Sequence, residues 1–199
     1  MWAELRPERS DDMDTNERYA MVVNDLQKQG VTIESKESRW YWKALGFILK
    51  VVSLGMNNKF MTDFVTTTGT LIGVPADWDT WDVRERYEIL RHEAKHIEQY
   101  KRFGFGNIWF GAIVVGIAYA FLPFPIGLAY CRAMIEREGY AESIRVMVQL
   151  DGPNAAREAK SFFVSQYTGP NYLWMWPFKS QVEKWVDDDL ARIIAEETA

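Results

Sequence analysis

Two histidines and one cysteine are all that 199 residues offer in imidazole and thiol chemistry. A lone cysteine, Cys131, cannot build an internal disulfide framework, which excludes the small cystine-stapled extracellular scaffolds. Basic charge is scarce as well. Lys and Arg number 23 against 28 acidic residues, the net charge is -5, and no basic cluster marks a nucleic-acid surface, so nucleic acid is not an expected partner. The N-terminus lacks the positive start and apolar run of a secretory leader, and the chain reads as cytoplasmic or otherwise intracellular. A bilayer-crossing run is missing too. Residues 103–131 contain no Asp, Glu, Lys, Arg or His, but Pro123 and Pro125 interrupt them, and the unbroken part, 108–122, is 15 residues where a span needs about 20. A buried core helix is expected there, with peripheral membrane contact through 108–130 as the alternative.

Aromatic side chains, in contrast, are plentiful, at 15% with nine tryptophans. They predict an aromatic-rich core or rings turned toward a protein partner. The length fits a single domain over 15–199, preceded by a flexible acidic arm over 1–14. Apolar spacing predicts helices over 15–29, 38–54, 132–150, 155–165 and 179–197, with stops at Gly30, Gly55 and Asp151-Gly152-Pro153. The β-branched stretch around Thr66-Thr67-Thr68-Gly69-Thr70 predicts two short strands ending at Pro75. The fold class is mainly α (α+β), with a small β-hairpin ahead of one long helix.

That helix holds both histidines. Asp79 and Asp82 mark its start and Lys101-Arg102 followed by Gly104 its end, with Val83, Tyr87, Leu90, Ala94 and Ile97 as the core-facing stripe. His92 and His96 stand four residues apart in Arg91-His92-Glu93-Ala94-Lys95-His96, so both imidazoles project from one helix face toward a common point. Such a pair can hold zinc, and a carboxylate next to the first histidine can act as general base toward a water. The alternative is an ordinary amphipathic helix whose histidines are merely packed.

Two histidines do not complete a protein zinc site. The third ligand has to be a carboxylate or Cys131, because no other histidine exists, and Arg102 stands where a metzincin would carry its third. Glu136, Glu138 and Glu142 on the 132–150 helix are the carboxylate candidates. His92-Glu93-x-x-His96 followed by Glu138-Gly139-Tyr140-Ala141-Glu142 resembles the gluzincin pattern of zincin metallopeptidases. It is nearest in type to the CAAX-prenyl-protease and heat-shock membrane-protease families of zinc endopeptidases. The resemblance implies a zincin-like helical core, Zn2+ held by His92, His96 and Glu138, Glu93 as catalytic base, and Glu142 as a supporting acid. Gly139, a poor mid-helix residue, lets Glu136 compete with Glu138. Those families carry several membrane-spanning helices that this chain lacks, so membrane residence does not transfer.

On this reading the chain is a zinc metallopeptidase, a hydrolase of peptide or protein substrates. Tyr172 is the first candidate for the oxyanion donor and Tyr140 the second. Gluzincin-like folds set an edge strand above the metal to bind extended peptide, and residues 70–74 are the candidate strand. Trp174 and Trp176 are assigned to the core rather than to a substrate groove. Two other classes compete: a catalytically weak or vestigial zincin fold serving as an assembly component, and a membrane-associated protease.

Overall fold

A computed structural model describes residues 14–52, 59–120, 128–169 and 175–199. The predicted arm falls almost wholly outside these residues, as do Tyr172 and Trp174. The described residues are mainly helical with one small sheet. Helix α1 (Thr15–Lys28) is capped by the Asp14 carboxylate on the Asn16 amide and leads through Gly30, at φ 78°, into strand β1 (Thr32–Ser35). Helix α2 (Trp40–Val52) follows, then the hairpin of β2 (Thr66–Thr68) and β3 (Leu71–Val74), turned at Gly69 with φ 58°. A 3-10 turn (Trp78–Thr80) precedes α3 (Val83–Phe103), α4 (Ile108–Ala120), α5 (Leu128–Asp151), α6 (Pro153–Glu158), α7 (Lys160–Thr168) and α8 (Lys179–Thr198).

Helix α3 starts as its sequence dictates. Asp82 accepts a hydrogen bond from the Arg84 amide, satisfying one of the helix's orphan donors, and Gly104 closes the other end. Asp79, the other half of the expected start signal, lies in the 3-10 turn and pairs with Arg86 at 3.5 Å. Helix α5 runs antiparallel to α3 and is tied to it along its length. Arg84 bonds Asp151, Arg91 bonds Glu142, and the Gln99 amide donates to the Ile135 carbonyl at 2.8 Å.

The sheet order is β1-β3-β2, with β1 parallel and β2 antiparallel to β3. This corrects the expectation for residues 70–74: β3 is the central strand, and the edge strands are β1 and β2. Strand β1 is too short for alternation to announce, and its partner lies in a distant part of the chain. Alternation along β3 puts Ile72 and Val74 into a core with Leu90 and Ile97 of α3, while the Trp42 ring covers Gly73 on the opposite face. A Cβ at Gly73 would stand 2.8 Å from that ring, so the close approach requires glycine.

A second core joins α5 to α8, with Tyr140, Ile144, Phe163, Tyr167, Trp176 and Trp185 among its buried members. The assignment of Trp176 to the core holds: it is buried, and its indole donates to Gln181. Two expectations fail. The helix expected over 155–165 is two helices broken at Ala159, where no Gly or Pro signals the break. Helix α4 is not a buried core helix, because one face of it is exposed.

Candidate metal centre

Helix α3 turns His92, Glu93 and His96 inward, each less than a tenth exposed, against α5 and the hairpin. The rings of His92 and His96 lie 5.1 Å apart, and ligand-type atoms of these two and of Glu93 all fall within 4.8 Å of one another. From α5, Oε2 of Glu136 lies 3.4 Å from Nε2 of His92 and 4.0 Å from Nε2 of His96. Two atoms that share a tetrahedral zinc at 2.0–2.1 Å are about 3.3 Å apart, so this spacing is close to that of a ligand set.

Glu136 fits a cation on a second ground. It is 2% exposed, and its Oε2 has no hydrogen-bond partner among the described residues. A buried anionic oxygen without a donor is costly unless a cation faces it. Burial disfavours the ionised form of this carboxyl, but the two histidines outweigh burial and hold its pKa below the ordinary carboxylate range. Burial likewise opposes the imidazolium of His92, and the facing Glu136 carboxylate outweighs it and raises the pKa.

Glu138 is elsewhere. Two residues along a helix is a rotation of 200°, so Glu136 and Glu138 cannot both face α3's histidines. The Glu138 side chain is 43% exposed and pairs with Arg102 at 2.6 Å, so the structure does not bring it to the histidines. Glu142 is buried but meets Arg91, Lys95 and Arg145, and so ties α5 to α3 rather than supporting an imidazole. Cys131 is exposed and free, away from this cluster. The Tyr140 ring packs edge-on against His92 at 5.0 Å, with Phe163 and Tyr167 behind it.

Compared with family models, curated proteins and solved structures, the chain matches none. The chemistry of the cluster therefore rests on its own residues.

Residues to which the sequence alone assigned no part in the site complete the arrangement. Gln99, one turn beyond His96 and 1% exposed, spends its amide N–H on the Ile135 carbonyl, so its Oε1 is left as acceptor toward Nδ1 of His96 at 2.9 Å. Nδ1 then carries a proton, which leaves Nε2, on the Glu136 side, as the nitrogen available to bind a cation. Gly139 is a poor helix former, and the structure gives the reason for it: a Cβ there would stand 2.6 Å from Nε2 of His92. Thr67 on β2 donates its hydroxyl to Oε2 of Glu93 at 2.6 Å, while its carbonyl accepts from Tyr100 Oη at 2.9 Å. Burial, with Glu93 and Glu136 adding to it, raises the pKa of that phenol and keeps it a donor.

Lys36, just past β1, is wholly buried and donates to the carbonyls of Phe60 and Phe64 and to Oγ1 of Thr66. Burial pushes its ammonium down to about 7 against the pull of Glu93. The signal for Gln99 was its spacing of three from His96. Thr67 and Lys36 carried none, because their partners come from other elements.

Proposed function

We propose that the chain is a zinc-dependent metallopeptidase whose ligands are His92, His96 and Glu136, with Glu93 as general base. The observation that carries this reading is the buried Oε2 of Glu136, which makes no hydrogen bond among the described residues and faces the Nε2 atoms of two histidines set four residues apart around a glutamate. A zinc ion held there supplies a Lewis acid that polarises a carbonyl and makes water more acidic. The chain's own groups do the rest. The Gln99 amide fixes the tautomer of His96, so its Nε2 is a ligand rather than a donor. The Thr67 hydroxyl holds one oxygen of Glu93, leaving the other to take a proton from the attacking water and deliver it to the departing amine nitrogen. Tyr172 keeps its place as candidate oxyanion donor from the sequence alone, whereas the Tyr140 ring serves as packing beside His92. The zincin-like core and the peptide or protein substrate class belong to this same proposal.

Metal analysis beside a peptide-library assay tests it. The parent is expected to carry about one zinc per chain and to hydrolyse peptides. Glu93→Gln should retain the zinc and lose at least ~100-fold in rate, the usual range for removing a general base. Hydrolysis by Glu93→Gln at the parental rate would overturn the mechanism.

A further inference from the structure

Helix α4 carries no charged side chain, and its two faces differ sharply in surroundings. Val115 is 4% exposed within the core shared with α3, with Ile108, Ala112 and Ala118 packed against the same core. Trp109, Phe110, Ile113, Val114 and Ile117 form the opposite stripe, and each is more than a third exposed. A polar outer face is the rule for a surface helix in water, and this one is the reverse. At the corner leading into α4, Phe105 is 93% exposed and sits at φ 51°, a left-handed conformation that costs an aromatic residue about 1 kcal/mol. That conformation closes the end of α3, where the Gly106 amide donates to the Lys101 carbonyl at 2.8 Å, and it leaves the phenyl ring in solvent.

Helix α2 repeats the pattern. Trp40, Phe47, Ile48 and Val51 are all more than half exposed, and Lys43 and Lys50 stand exposed among them. The two helices are seated on one hairpin, Trp42 of α2 over Gly73 in β3 and Trp109 of α4 over Gly69 in the turn. In a chain of net charge -5, residues 38–62 and 99–135 contain Lys and Arg but no Asp or Glu. Cations flanking the two helices pair with acids, Arg39 with Glu34, Lys59 with Asp63 and Arg102 with Glu138, but α2 itself carries Lys43 and Lys50 and no acid, and α4 carries no charge. Apolar side chains and tryptophans beside exposed lysines on one helix face are the composition of a helix that lies in a bilayer interface, its rings and aliphatics in the acyl boundary and its ammonium groups at anionic headgroups. No described helix is long and apolar enough to cross a membrane, and the 13 residues of α4 reach only ~20 Å, which fits lying on the surface.

We propose that the outer faces of α4 and α2, with Phe105 at the corner, dock this protein onto an anionic lipid bilayer. The proposal stands independently of the hydrolytic reading. It is tested with the full chain and vesicles of either pure phosphatidylcholine or phosphatidylcholine with about a third phosphatidylserine, by co-sedimentation and tryptophan emission. The mixed vesicles should bind at least ten-fold more tightly than the neutral ones and shift the emission to the blue. Ile113→Ser with Phe105→Ser should weaken binding at least ten-fold. Lys43→Gln with Lys50→Gln should weaken it by about five-fold per lysine, on anionic vesicles only.

A helical circular dichroism spectrum and a retained melting transition establish that each variant is folded. Should the double serine variant unfold, Phe105→Ser alone, in the exposed corner, carries the same test. Equal binding by parent and variants would overturn the proposal. So would failure to bind anionic vesicles, whether the parent then forms a concentration-dependent dimer, which assigns the face to a second copy, or stays monomeric, which assigns the face to a protein partner or to another segment of this chain.

Discussion

Where one methyl group would go decides how much of the cluster survives a change in α5. Ala is the better helix former than Gly by about 1 kcal/mol, so Gly139→Ala should hold or raise the melting temperature. The added Cβ would stand 2.6 Å from Nε2 of His92, so the ring has to leave its position. The expected outcome is a folded protein with little zinc, read by metal analysis beside a thermal melt. Full zinc in that variant would show that His92 does not need its present position. Gln99→Leu tests the neighbouring ligand: without an acceptor at Nδ1 the tautomer of His96 is free, and zinc affinity should fall by about 10–100-fold in a competition titration with a chelator. An unchanged affinity would remove Gln99 from the site.

The same residues show what could be read in advance. His92, Glu93 and His96 were legible because a four-residue spacing has one meaning on a helix. Glu136 against Glu138 was not, since it depends on how α5 is rotated against α3, and a motif carries no rotation angle. Glycine in a helix looked like a defect until the imidazole behind it was seen.

Between elements, α3 and α5 are tied by the carboxylate of Glu142, whose side chain is 4% exposed and which meets Arg91 of α3 together with Lys95 and Arg145. Burial works against the Arg91 guanidinium, but the Glu142 charge beside it outweighs burial and raises its pKa. Removing one partner of such a pair strands the other, so Glu142→Gln should cost roughly 3 kcal/mol and lower the melting temperature by about 6–12 °C. A shift under about 2 °C would mean that Arg91 finds water instead.

Lys36 plays a comparable part for the hairpin, since its three acceptors lie in the segment that delivers β2 to Glu93. Its folded pKa of about 7 lies below its ordinary value of 10.5, so between those two pH values the unfolded chain holds a proton that the folded one has released. Stability should therefore rise with pH across that window and be lost as pH falls toward 7. Lys36→Met should flatten this dependence, as read from urea midpoints at about pH 7 and 9.5. A parent as flat as the variant would mean that the ammonium stays charged among its acceptors. Of the elements themselves, α1, the hairpin, α3 and α8 were legible from caps, stops and period. Strand β1 was not, being four residues long and paired in parallel with a strand far along the chain.

Over the whole molecule, α5 is the shared wall. Its Ile135 belongs to the core with α3 and β3, and its Tyr140 and Ile144 to the core with α7 and α8. The outward face of α4 was illegible for a related reason: a helix apolar all round gives no periodic contrast from which to read its orientation. A zinc ion between α3 and α5 would join the first core to the shared wall, so its binding energy should appear in global unfolding rather than in a local loop. At a free concentration of 100 times its dissociation constant, a ligand that binds only the folded state adds about 2.7 kcal/mol. For a chain of this size that corresponds to roughly 5–11 °C, which a chelator should remove.

The variants then separate the two glutamates. Glu136→Gln should melt at the same temperature with and without chelator, whereas Glu138→Gln should keep the full shift, because it loses only a half-exposed pairing with Arg102. A shift that survives in Glu136→Gln and vanishes in Glu138→Gln would restore the ligand set implied by the sequence motif and would require α5 to turn by nearly half a revolution on binding metal.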